Sequence, residues 1–237
     1  MMANPLAPEE IRENIALIRD RLEKAARSAG REPGEVRLMA VTKTVPPELV
    51  NVAAEEGIRL FGENRAQELL EKLDSYSFGP DQIHFIGTLQ TNKVRQIIDK
   101  VCCIQSVNSI HLAREIQKRA AAAGKAMDVL VEVNIGEESS KTGADQKQIL
   151  EILEEVSGFS NLRVKGLMCI PPPGQNPLET ERYFDQMYKM FIDIKHKKID
   201  NISMETLSMG MSGDYELAVK HGANLVRIGT GIFGKRK

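Results

Sequence analysis

Cysteine is scarce: Cys102 and Cys103 stand side by side, Cys169 lies far downstream, and there are no others. That pattern is neither a disulfide framework nor the paired spacing of a structural metal site. All three fall in apolar segments, where a thiol serves as a small buried hydrophobe rather than a redox centre. Long apolar runs are missing as well, so no segment is suited to crossing a bilayer. The opening residues lack the basic-then-apolar order of a signal peptide, which gives no reason to expect export. Neither sign of charge dominates, with 32 Lys and Arg against 33 Asp and Glu for a formal net charge of -1. Such a balance gives no long-range pull toward nucleic acid or acidic lipid. The expectation is a cytoplasmic protein in a reducing compartment, with neither nucleic acid nor membrane as a partner.

What is present suits one large α/β domain spanning residues 1–237: 42% of residues are apolar and 27% charged. From Val36 onward, short β-rich segments (36–42, 59–61, 83–86, 102–106, 128–134, 163–169, 203–207 and 224–228) alternate with helical patterns. The helical patterns fall at 48–56, 65–73, 91–100, 110–123, 145–156, 177–197 and 214–221. Many strand segments are apolar throughout, as expected when both faces of a parallel sheet are covered. About eight strand–helix steps is the number that closes a (β/α)8 TIM-type barrel. An open doubly wound sheet shares the alternation and is the alternative. An amphipathic helix over 8–29, with Ile11, Ile15, Ile18 and Leu22 on one face, precedes the first strand. Little chain follows the last strand, so this added N-terminal helix is expected to fill the missing place in the outer ring. Pro171, Pro172, Pro173 and Gly174 form the stiffest break, but between a strand and a helix they read as a loop. The basic run 195–198 falls where cations favour a helix C-terminus, and the terminal run 235–237 reads as a solvated tail.

In such barrels, functional groups lie where strands end and βα loops begin. Lys43 directly follows the first strand, where partial desolvation would lower its pKa and expose a nucleophilic amine. By position alone the solvated lysine at a strand end is the favoured reading. Two loops at the end of the chain change that reading: 208–214 after the seventh strand and 227–231 after the eighth. Their glycines allow close backbone approach, their hydroxyls donate hydrogen bonds, and helix N-termini aim free amides at an anion. Loops after strands 7 and 8 are the usual phosphate site of these barrels. Arg227 carries a guanidinium that only donates, and its bland reading is an ion pair in the barrel wall. Asn64, after the second strand, could serve a ligand or cap the next helix. His84 reads as a satisfied structural residue. His111, His196 and His221 have no partners at ligand spacing, so no metal site is expected.

Taken together, these segments resemble the YggS/PROSC (PLPBP) family of pyridoxal 5′-phosphate (PLP) homeostasis proteins. The resemblance rests on AVTKTVPPELV around Lys43, FGENRAQE at 61–68, HFIGTLQTNK at 84–93 and SVNS at 106–109. It continues through EVNIGEESSKTG at 132–143, GLMCIP at 166–171, LSMGMSGD at 207–214 and VRIGTGIFG at 226–234. It implies a barrel like the PLP-binding domain of alanine racemase, with PLP as cofactor in a Schiff base on Lys43. It also implies phosphate contacts from Ser208 or Ser212 and from Gly229 and Thr230, with Arg227 at the pyridine nitrogen. Departures are small: Ile83 stands where many relatives carry Trp, and Arg65-Ala66 where Tyr-Val is frequent.

An arginine facing the pyridine nitrogen would keep it unprotonated and weaken the ring as an electron sink. Racemases of similar fold add a β-domain whose tyrosine acts as a second acid/base, and no such segment follows the barrel here. The expectation is therefore a non-catalytic PLP carrier or regulator, a monomer with PLP-dependent apo-enzymes as its candidate partners. A racemase-like PLP enzyme is the alternative. A Schiff-base aldolase without PLP would instead be colourless.

Overall fold

The computed structural model describes residues 6–136, 143–172 and 177–235. Part of the EVNIGEESSKTG block (137–142), Pro173 and Gly174 of the proline-rich loop, and Arg236 and Lys237 of the tail lie outside the described residues. The first half of the chain runs through α1 (Pro8–Ser28), β1 (Arg37–Val41), α2 (Pro47–Glu55), β2 (Phe61–Glu63), α3 (Ala66–Lys72), β3 (Ile83–Phe85) and α4 (Thr91–Ile97). It continues with β4 (Cys103–Val107), α5 (Ile110–Ala122), β5 (Met127–Val133), α6 (Gln146–Ser157), β6 (Leu162–Cys169) and α7 (Pro177–Lys197). It ends with β7 (Ile202–Ser208), α8 (Tyr215–Lys220), β8 (Leu225–Ile228) and α9 (Thr230–Phe233). The eight strands pair in parallel and in sequence order, and β8 closes on β1 with Met39 opposite Arg227 and Ala40 opposite Ile228. Closure excludes the open doubly wound sheet.

The strands are apolar because each has two faces to cover. Outward residues such as Phe61, Phe85, Ile104, Val131 and Leu207 meet the helices in the main core. Inward residues form two smaller apolar clusters, Met39, Val41, Ile86 and Leu225 in one and Cys103, Leu130 and Met168 in the other. Buried polar side chains share the barrel interior, among them His84, Gln105, Ser208 and Arg227. Gly166 has φ 149°, and a Cβ there would stand 1.8 Å from the Thr206 carbonyl oxygen. Around it the register shifts on both sides of β6, as a bulge requires.

Helix α1 takes the place an eighth outer helix would occupy. Its Ile11, Ile15, Ile18 and Leu22 are buried, each worth about 1.5–3 kcal/mol. Arg12 pairs with Glu56 and Glu55 beside α2 (3.0 and 3.2 Å). On the other side Arg21 lies 3.9 Å from Glu216 of α8, and Asn14 donates to the Ile232 carbonyl of α9 at 3.1 Å. The helix thus bridges the two ends of the ring, and α9, one turn long, does not compete for the space.

One strand sits two residues later than its sequence pattern suggests. The span 59–61 was the expected second strand, yet pairing runs over Phe61–Glu63. Gly62 faces inward, where a Cβ would meet Ile86 Cδ1 at 2.8 Å and Met39 Sδ at 2.9 Å. Phe61 stacks on Phe78 at 3.8 Å, and Glu63 is wholly buried beside it. Cys103 and Cys169 are buried and Cys102 partly so, none of them in a disulfide. Burial pushes the Cys102 thiol up to about 11 and Cys169 to about 12, which keeps both inert at neutral pH. Lys195, His196 and Lys197 occupy the last turn of α7, the favourable end for cations. Among the described residues no helix is long and apolar enough to cross a membrane, and no cluster of side chains could hold a metal ion.

Candidate functional site

A cavity of about 340 Å³ opens where the strands end. Its apolar wall is Val41, Ile86, Ile170 and Met211; its polar groups come from Lys43, Asn64, Ser212, Gly213, Arg227, Gly229 and Thr230. Lys43, Asn64, Ser212, Arg227, Gly229 and Thr230, expected from the sequence to act together, therefore do meet. Ser208 does not line the cavity. It is fully buried below, accepting from Arg227 Nη1 and facing Gln105 Oε1, both at 2.7 Å. Of the two serines considered for phosphate contact, only Ser212 is at the cavity.

The turn that carries Lys43 is clamped from the β2–α3 side. Thr42 N–H donates to the Gly62 carbonyl at 3.1 Å, continuing the β1–β2 ladder. The Thr42 hydroxyl donates to Glu63 Oε1 at 2.6 Å, and the Tyr76 hydroxyl donates to the same oxygen at 2.5 Å. Lys72 reaches the Thr42 carbonyl at 3.1 Å and pairs with Glu68, which also accepts from the Thr44 amide. Thr44 has φ 60°, costly for a β-branched residue and tolerated only where surroundings over-determine it. Burial raises the Glu63 carboxyl above the usual range, against the lowering effect of its bonds to Thr42 and Tyr76. Burial, and then the Glu63 charge, pushes the Tyr76 phenol up, so it stays protonated as the donor. Sequence reading missed Glu63, Glu68, Lys72 and Tyr76. The available signal was a lone carboxylate following a glycine at a strand end, which reads as loop until the strand is moved.

The opposite wall is built by the loops after β7 and β8. Gly210 has φ 91°, and a Cβ there would come within 2.6 Å of Ala218 Cβ and 3.0 Å of Tyr215 Cα. Only glycine lets α8 begin so close. Asp214 then closes the turn, accepting from the Met211 amide at 2.6 Å. Ser212 Oγ accepts from Gly231 N–H at 3.0 Å, tying the two loops together and leaving the serine proton to donate. The amides of Ser212, Gly213, Gly229 and Thr230 donate to no other described residue. Four such N–H groups around one cavity make a concave site for an anion.

Arg227 is buried in the cavity floor, with Nη2 donating to the Cys169 carbonyl at 2.7 Å. The barrel-wall ion pair considered for it is not what fixes it: its described partners are a hydroxyl and a carbonyl. Burial pulls the guanidinium down from its ordinary value, opposed by Cys169, Asp214 and Glu132. On the other side, Asn64 Oδ1 is a buried acceptor with no hydrogen-bond partner among the described residues. Gly87 allows this approach, since a Cβ there would stand 2.1 Å from the Asn64 carbonyl oxygen. An orphaned acceptor at a cavity wall marks a place for a ligand's donor.

Residues 9–237 match the family model for the alanine racemase N-terminal domain. The pyridoxal phosphate homeostasis protein of Aquifex aeolicus is 40% identical over 225 residues, covering 95% of this chain and 98% of that protein. Its namesake in Pseudomonas aeruginosa is 38% identical over 226 residues, covering 95% and 96%. Among solved structures, PipY of Synechococcus elongatus with PLP bound is 32% identical with a TM-score of 0.82, covering 94% of this chain and 100% of that one.

Proposed function

Because this chain belongs to the family of pyridoxal phosphate homeostasis proteins, we propose that it holds PLP as a Schiff base on Lys43 and acts in intracellular PLP homeostasis, with effects on amino-acid and keto-acid balance. The observation that carries this reading is a single cavity in which Lys43 shares the wall with the amides of two loops and Oδ1 of Asn64, those amides and that oxygen being bonded to no other described residue. When bound, PLP supplies an aldehyde to react with the lysine amine, a conjugated ring and a phosphate. The chain's own residues would divide the rest. Lys43 is the covalent anchor. Ser212 Oγ and the amides of Ser212, Gly213, Gly229 and Thr230 would hold the phosphate. Asn64 would face a substituent of the ring, and Val41, Ile86, Ile170 and Met211 would exclude water from its faces. Arg227 would donate to the pyridine nitrogen, keeping it unprotonated and the ring a weak electron sink.

The same wall supports a carrier over a racemase-like enzyme. Among the described residues, Lys43 and Arg227 are the titratable side chains lining the cavity. Proton transfer at two faces needs a second acid/base within hydrogen-bond reach, and a guanidinium does not give up its proton readily. Tyr76, which shares Glu63 Oε1 with Thr42 of the Lys43 turn, donates its proton to that carboxylate. We take the protein to be a cytoplasmic monomer that passes PLP to PLP-dependent apo-enzymes; its free, largely buried thiols suit a reducing compartment.

The test is a near-visible absorbance spectrum of the protein loaded with PLP, followed by borohydride reduction and peptide mapping. The expected label is on Lys43 and is lost in Lys43→Ala. A label on another lysine would sink the site assignment. Rapid turnover of an amino acid by the loaded protein, lost in Lys43→Ala, would favour the enzyme instead.

A further inference from the structure

Beneath the cavity, four strands contribute polar side chains to one chain of hydrogen bonds through the barrel interior. Arg227 Nη1 lies 2.7 Å from Ser208 Oγ, Ser208 Oγ lies 2.7 Å from Gln105 Oε1, and Gln105 Nε2 lies 2.8 Å from His84 Nδ1. The orientation of the Gln105 amide, with Oε1 toward Ser208 and Nε2 toward His84, sets the direction of the chain. A guanidinium only donates, so Ser208 Oγ accepts from Arg227 and sends its single proton to Gln105 Oε1. The Gln105 amide must then donate to His84, which presents a lone pair on Nδ1. Burial, with the nearby Arg37 charge adding to it, lowers His84 to about 4, so the ring is neutral and carries its proton on Nε2. Gln105 and Ser208 are fully buried, with Met168 pairing beside Ser208 and Met39 beside Arg227; the charges acting on the two ends are Arg37 at His84 and Asp214 and Glu132 at Arg227.

None of the three residues behind Arg227 lines the cavity, yet they decide how it is presented. With Nη1 on Ser208 and Nη2 on the Cys169 carbonyl, the guanidinium plane is fixed at two points. Three of its five N–H hydrogens remain, on a side chain that lines the cavity. Were the serine proton turned toward Arg227 it would meet a guanidinium hydrogen head-on, and Gln105 Oε1 prevents this by accepting that proton.

We propose that Ser208 and Gln105 are positioning residues, which by fixing the direction of this chain aim Arg227 at the ring nitrogen of bound PLP. The inference rests on PLP occupying the cavity as proposed above. Removing Ser208 leaves the guanidinium one anchor. Removing Gln105 frees the serine hydroxyl to rotate. Either change alters the donor that the ring nitrogen meets without touching Lys43 or the phosphate loops.

PLP titrations of the full-length protein, followed by near-visible absorbance at several pH values, test this in wild type, Ser208→Ala and Gln105→Leu. Melting curves without PLP accompany them. Both variants should bind PLP about tenfold more weakly, as for a lost hydrogen bond to a charged group. Both should also shift the pH midpoint of the near-visible band, while borohydride still labels Lys43. Gln105→Glu, close in shape, carries the same expectation of a shifted midpoint should leucine block folding. A lower melting temperature with unchanged affinity and midpoint means the chain is merely structural and overturns the inference. A wild type that gives no band and no label overturns the proposed function itself. A normal wild-type band with unaltered variants overturns this inference alone.

Discussion

His84 makes the stability of the barrel depend on pH in a way that can be worked out beforehand. Its imidazole sits in the interior, and burial followed by the Arg37 charge lowers it from the ordinary 6.5 to about 4. Above the unfolded value both states hold a neutral ring, and the group adds nothing to the pH dependence. As pH falls below it, the unfolded chain takes up a proton that the folded one refuses. Stability therefore declines by about 1.4 kcal/mol per pH unit, until the folded ring also protonates and the loss levels off at roughly 3 kcal/mol. The perturbation is His84→Gln, which removes the titration and keeps an acceptor for the Gln105 amide. Urea unfolding of both proteins at a series of pH values from neutral to acid isolates the effect, because carboxylates elsewhere cancel in the difference. The variant is less stable at neutral pH if the native bond is better made by histidine. What matters is that the gap moves in the variant's favour by roughly 3 kcal/mol as pH drops through the window. Parallel pH curves for the two proteins would refute a neutral, buried His84, and with it the donor direction assigned to Gln105.

Two further outcomes follow from the clamp and the loop. Glu63 titrates with the opposite sign: its folded carboxyl is raised by burial, so wild type loses stability as pH rises from the unfolded value through the folded one. Glu63→Gln lacks that loss, and denaturation curves should show the variant gaining on wild type between acid and neutral pH; a gap independent of pH would contradict a raised carboxyl. Gly210→Ala places a Cβ against Ala218 and Tyr215 at a positive φ, a combined cost of roughly 2–5 kcal/mol. Gly213→Ala, where nothing lies within 4 Å, should stay within about 0.5 kcal/mol of wild type in the same thermal melts.

The barrel was legible because its evidence is local and repeated. Each strand is a short apolar run bounded by turn residues, and each outer helix shows its own periodicity. The role of α1 was legible too, from Ile11, Ile15, Ile18 and Leu22 on one face. β2 was misplaced by two residues because its inward position is a glycine and its outward end a buried carboxylate. Hydrophobic patterning gives no weight to either. Glu63 is held in the strand by Thr42 and Tyr76, which both donate to its Oε1, and those partners lie 21 and 13 residues away.

The site divides along the same physical line. Lys43, Asn64, Ser212, Arg227, Gly229 and Thr230 could be picked out because strand ends are where a barrel gathers its function, and each lies at or just past one. Ser208 was picked by the same rule, but it is the last residue of β7 and points into the barrel, not into the loop. Depth separates those outcomes, since Arg227 also faces inward yet lines the cavity, while Ser208 lies beneath it, bonded to Arg227 and Gln105. Gln105 carries no signal of any kind in its own segment. It becomes meaningful only when closure brings β4 across the interior to β7, a separation of 103 residues. A glutamine inside a barrel costs free energy unless both ends of its amide are bonded. Here one end accepts from Ser208 and the other donates to His84, so the interior tolerates it for what it does to Arg227. On the proposed reading Lys43 would supply the covalent bond, while what the cofactor meets at the other end of its ring would be decided by residues that never reach the cavity.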